Sequence, residues 1–125
     1  MAGTIVCNTL NTDTGLFSTN NAYLGMAKAW VNFTNSSGTI TVNNTFNISS
    51  VTRTSTGVFT ISFTTAMPSS NYSVVGNSSS GLSNAGVLFS YNFTTSSFTA
   101  LTSNISALYS PLSDNLYNSI AVLSN

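Results

Sequence analysis

Charge is almost missing from this sequence, and that limits what the chain can become. Its 125 residues hold two Lys or Arg, two Asp or Glu and no His, so 3% are charged and the formal net charge is +0. An ordinary soluble domain carries about 25% charged residues. The four are Asp13, Lys28, Arg53 and Asp114. The polar surface must therefore be made of Ser, Thr and Asn, which form roughly half of the chain. Apolar material is still ample, at 42% hydrophobic and 11% aromatic. Disordered segments combine low hydrophobicity with high net charge, and this chain has neither. Its length suits one domain, large enough to bury nearly 70% of its unfolded surface.

The same scarcity removes whole classes of function. Nucleic-acid binding needs several phosphate contacts from Lys or Arg, and Lys28 and Arg53 are the only two. Binding to an anionic membrane surface fails for the same reason, and no apolar run approaches bilayer-spanning length. The start, Met1 to Cys7, lacks the charged residue and long apolar run of a secretory signal. No cofactor motif and no Asp-x-Asp metal loop occurs, so neither a cofactor nor a metal site is expected. Without His there is no Ser–His or Cys–His pair. The two carboxylates, Asp13 and Asp114, both read as turn-capping residues. No catalytic residue is assigned and an enzyme is not expected. Cys7 is the sole cysteine, which excludes an intrachain disulfide and reads as a small packed hydrophobe. Zero net charge also gives little mutual repulsion between copies, which favours a subunit of an assembly over a free monomer.

Turn chemistry recurs along the chain at Asn20-Asn21, Asn35 to Gly38, Asn43-Asn44, Ser55 to Gly57, Ser69 to Asn71, Asn77 to Gly81 and Ser113 to Asn115. Short β-branched and aromatic runs lie between. Strands at this spacing read as a sandwich or barrel. The expected fold is all-β, an antiparallel β-sandwich of jelly-roll-like or lectin-like type. The clearest strand is Gly57 to Thr64, with Phe59, Ile61 and Phe63 on one face and Thr60, Ser62 and Thr64 on the other. Pro68 ends its pairing. Further strands are expected at Lys28 to Phe33, Ile40 to Val42, Asn47 to Arg53, Tyr72 to Gly76, Val87 to Asn92, Ser97 to Leu101 and Asn118 to Leu123. The last is apolar on both faces, so it belongs in the middle of a sheet or at a subunit contact. Leu24 to Trp30 can form one short helical turn at most.

Residues 1–23 differ from the rest. Thr4 to Leu10 reads as a short strand and Asn11 to Gly15 as a turn, before Leu16-Phe17. This piece is too short to own a core and must dock elsewhere. The expected division is an N-terminal anchoring segment (1–23), using Ile5, Val6, Leu10, Leu16 and Phe17, and a β-sandwich domain (24–125). Core and subunit contact are expected to draw on Trp30, Phe33, Phe59, Ile61, Phe63, Ile120 and Val122. Eight Asn-x-Ser/Thr triplets, from Asn32 to Asn104, follow from the Ser/Thr-rich composition. A neutral, hydroxyl-rich surface also suits carbohydrate, with Tyr109 and Tyr117 as candidate glycan contacts near loop tips.

Ala27-Lys28-Ala29-Trp30-Val31-Asn32-Phe33 resembles the AKAWVNF opening of a domain found in tail fibres of tailed bacteriophages, especially those of marine bacteria and cyanobacteria. Phe46 to Thr52 resembles its FNVSSIT segment. Gly57 to Thr64, then Thr65-Ala66-Met67-Pro68 and Asn71-Tyr72, resembles its G-x-Y-T-V-x-F-T-T-A-M-P-x-x-N-Y stretch, and Asp114 to Leu123 its closing strand. The likeness runs in order from about Ala27 to the C-terminus. It implies a β-rich homotrimeric virion protein on the particle surface, held to other capsid or tail proteins: a short tail fibre, or a cement protein decorating the capsid. A receptor-binding, lectin-like module for host-surface glycan is the alternative. Members usually follow a long fibre shaft, and no shaft is expected within these 125 residues.

Overall fold

A computed structural model describes residues 9–12, 15–18, 25–81, 85–105 and 111–124. It bears out the all-β expectation. The described residues form ten strands: β1 (Thr9–Thr12), β2 (Gly15–Ser18), β3 (Ala27–Ser36), β4 (Thr39–Phe46), β5 (Ile48–Ser55), β6 (Val58–Phe63), β7 (Ser73–Ser79), β8 (Ala85–Tyr91), β9 (Ser97–Asn104) and β10 (Tyr117–Leu123). β1 and β2 pair only with each other, with Leu10 opposite Phe17. The other eight form one antiparallel sheet in the order β4-β3-β10-β7-β8-β9-β6-β5. It curls until it is nearly closed, so its two halves face each other across a shared core.

Alternation decides which residues enter that core. β6 reads intermediate-buried three times over, with Phe59, Ile61 and Phe63 inward. β3 puts Ala29, Val31, Phe33 and Asn35 inward, and β10 puts Asn118, Ile120 and Val122 inward. Phe98 and Ala100 of β9 complete the layer opposite. The rings of Phe33 and Phe59 meet edge-on at 5.4 Å between centroids, tying one half of the sheet to the other. At one end Tyr72 packs edge-on against Phe63 and Phe93, and its hydroxyl donates to the carbonyls of Thr94 and Ser97. β10 does lie inside the sheet, between β3 and β7.

Two corners close the structure. Ser37 and Gly38 both have positive φ (53° and 88°). That is what a two-residue hairpin turn demands, and it links β3 to β4. Asn47 (φ 54°) joins β4 to β5, the two edge strands. Its amide donates to the Lys28 and Thr65 carbonyls, and its Oδ1 accepts from the Thr65 N–H. One side chain thus holds three segments together where the sheet comes nearest to closing.

The structure corrects three readings. Asn43-Asn44 is not a turn but the interior of β4, where a register shift between Asn32 and Phe33 of β3 absorbs the extra residue. Asn77 to Ser79 belong to β7 rather than to a turn, because β10 supplies a full ladder opposite them. Ala27 to Trp30 lie in β3, not in a helical turn.

Candidate functional site

The outer face of β3, β10 and β7 forms an open groove of about 440 Å³. Register explains its shape. Ala121 of β10 lies opposite Trp30 of β3 on one side and Val75 of β7 on the other. Two residues along, Ser119 lies opposite Asn32 and Asn77. Small residues on the middle strand make the floor, and larger ones on its neighbours make the walls. Gly76 keeps β7 close, since a Cβ there would stand 2.5 Å from the Ser119 carbonyl oxygen. The result is an apolar row beside a polar row. Phe46 of β4, opposite Trp30, extends the apolar row and is exposed.

The polar row is ordered by side-chain hydrogen bonds. The Asn43 amide donates to Asn32 Oδ1 at 2.9 Å, and the Asn32 amide donates to Ser119 Oγ at 2.7 Å. Among the described residues, no charged side chain lines the groove.

A second constellation lies at the β5–β6 turn. Arg53 donates from Nε and Nη2 to the Asp114 carboxylate, the shortest bond being 2.7 Å. The Gly57 N–H adds a bond to Asp114 Oδ1 at 2.8 Å. Arg53 first, and then Gly57, hold the Asp114 carboxyl below the usual carboxylate range against the opposing effect of partial burial. Asn35 is near enough to favour the same charge, although its buried Nδ2 makes no full hydrogen bond among the described residues. Beside this pair, Asn115, Ser78 and Asn118 form a buried chain: Asn115 donates to Ser78 Oγ, and Ser78 donates to Asn118 Oδ1. These contacts are structural. They fasten the segment before β10 onto the sheet.

This pair predicts an acid response. A carboxyl with a depressed folded pKa adds stability that is complete above its unfolded value, about 3.9. That stability is lost as pH falls through the lower folded value. The urea midpoint should be level from about pH 8 to pH 5 and drop below about pH 4. Asp114→Asn should be less stable at neutral pH and show a smaller acid drop, checked by urea titrations at both ends of that range.

Phe33, Phe59, Ile61, Phe63, Ile120 and Val122 are all buried in the core. Trp30 is not with them: it is half-buried on the outer face and lines the groove. Leu10 lies in β1, and Leu16 and Phe17 in β2. Ile5, Val6, Cys7, Asp13 and Tyr109 lie outside the described residues. Tyr117 is 55% exposed on the same face of β10 as Ser119 and Ala121, next to the groove rather than at a loop tip. The groove residues Asn32, Asn77 and Ser119 were missed because Asn and Ser occur everywhere in this sequence. Their one signal was alternation: Trp30 with Asn32, and Ser119 with Ala121. Among the described residues there is no cluster of His, Cys, Asp or Glu that could hold a metal. No described helix is long and apolar enough to cross a membrane. Comparison with known families, curated proteins and solved structures gives no match.

Proposed function

We propose that the chain is a non-enzymatic structural protein of a tailed-phage virion, a short tail fibre or a cement protein on the particle surface, and that it assembles as a homotrimer. The observation that carries this reading is an outward apolar row on a nearly uncharged surface. Val58 of β6 lies opposite Leu101 of β9, which lies opposite Phe89 of β8. Phe89 is 59% exposed. Apolar surface grouped in this way marks a contact, and with so few charges around it little opposes the approach of another copy. The resemblance of the motif order to phage tail-fibre domains favours the same reading, and the engagement of Asp114 by Arg53 favours its non-enzymatic part.

Light scattering on a sizing column tests the assembly. The expected mass is three times the 13.1 kDa chain. Phe89→Lys should give a folded chain of lower mass. A wild-type monomer at every concentration overturns the trimer. Antibodies raised against the chain should label phage particles, and unlabelled particles would overturn the virion assignment.

A further inference from the structure

We propose that the groove across β3, β10 and β7 binds a neutral saccharide. This goes beyond the structural role and does not depend on it, since a monomer would carry the same groove.

The first argument is charge. None of the described residues lining the groove is ionisable at neutral pH. An anionic or cationic ligand would lose hydration there with no opposite charge to replace it. A ligand with many hydroxyls and no charge does not meet that cost.

The second is the two-row pattern. A pyranose has an apolar C–H face and an edge of hydroxyls. Trp30, Ala121 and Val75 offer the apolar row, and Asn32, Ser119 and Asn77 offer the polar one. Residues two apart on a strand are separated by about 7 Å, so a single ring can touch both rows.

The third is the direction of the hydrogen bonds. Asn43 donates to Asn32, and Asn32 donates to Ser119. Ser119 Oγ is therefore already an acceptor, and its proton has no acceptor among the described residues. The chain is polarised toward a donor at the groove floor. Asn77, across the floor from Asn32, is exposed, and its amide has no partner among the described residues, so it can both donate and accept. Adjacent sugar hydroxyls need that mixture. Tyr117 continues the same face beyond Ser119.

The shape argues against a second copy as the occupant. A second copy laid across Ala121, Ser119 and Gly76 would have to fill an open groove of about 440 Å³, since close packing tolerates few voids. It would also cover the polar row without matched partners. The apolar row on β8, β9 and β6 suits a second copy better.

The test is an NMR titration of the full chain with neutral disaccharides (lactose, maltose, cellobiose, mannobiose and chitobiose) and with sialyllactose as the anionic control. Millimolar affinity is expected, as suits a shallow open site. At least one neutral sugar should shift the Trp30 indole N–H, the Asn32 and Asn77 side-chain amides and the Ser119 and Ala121 backbone signals. Trp30→Ala and Asn77→Ala should each weaken binding about tenfold or more, with Phe89→Ala leaving it unchanged. Both substitutions are on the outer face, and Asn77→Ala removes no described side-chain contact, so loss of folding would not obscure the result. Three outcomes overturn the proposal: no neutral sugar moves these signals at about ten times a millimolar Kd; shifts map elsewhere; or the same signals move with protein concentration alone, which would make the groove a contact between copies.

Discussion

Phe59→Ala is expected to lower the free energy of unfolding by about 3–5 kcal/mol, the cost of removing a large buried aromatic and leaving a cavity. The site has little freedom to collapse. Phe59 is fully buried in β6, between Arg53 of β5 and Ala100 of β9 in register. Its ring also meets Phe33, on the opposite half of the sheet. The loss removes both apolar burial and the edge-on contact that joins the halves. Domains of this kind are stable by only about 5–15 kcal/mol, so the urea midpoint should fall by a large fraction of its value. Trp30, the only tryptophan, provides the fluorescence readout. Thr60→Ala, one residue along and facing outward, should change stability by no more than about 0.5 kcal/mol. If the two variants unfold together, the inward and outward assignments on β6 are wrong.

Gly57→Ala should cost about 2–5 kcal/mol, from two separate sources. The φ of 66° lies in the left-handed region, where a side chain costs about 1–2 kcal/mol. The added Cβ would also stand 2.6 Å from the Thr102 carbonyl oxygen and 2.7 Å from the Ser113 nitrogen. Both are backbone atoms that cannot swing aside, so overpacking adds about 1–3 kcal/mol. Gly57 also gives its N–H to Asp114 and accepts the Thr102 N–H at 2.8 Å. Displacing it would loosen the Arg53–Asp114 pair, so the acid response should shrink as well. Gly38→Ala separates the two sources. Its φ is 88°, but the nearest atom to a new Cβ is in the Arg53 side chain at 3.7 Å. It should cost only about 1–2 kcal/mol, the backbone share. Equal losses at both positions would show that the close approach at Gly57 is not felt.

Much of the sheet was legible because alternation is a local property. The Phe59-Ile61-Phe63 stripe identified β6 and its inward face, and the two-sided apolar pattern of Ile120 to Leu123 pointed to the middle of a sheet or a subunit contact, of which β10 takes the first. Partners were not legible. β10 pairs with β3 almost ninety residues earlier in the chain, and nothing local in either strand names the other. Arg53 and Asp114 also meet across a long stretch of sequence. The only hint was that a chain with so few charges keeps two of each sign. Asn was the most misleading residue type. It forms a corner at Asn47, sits within strands at Asn43, Asn44 and Asn77, and is buried with hydrogen-bond partners at Asn115 and Asn118. When one residue type serves as turn former, surface and buried network, composition cannot say which use applies.

The Asn47 corner also bears on aggregation. Proteins usually keep sheet edges from joining by placing Lys or Glu along them, and this chain has no such residues to spare. Its two edge strands instead meet at the same corner, and both edge ladders carry register shifts, at Asn32/Phe33 on one and at Ile48/Ser50 and Arg53/Ser55 on the other. Bulges of this kind twist an edge away from a straight partner strand. Protection against edge-to-edge fibres is therefore built into the backbone rather than the side chains, and added salt, which screens charge, has almost nothing there to weaken.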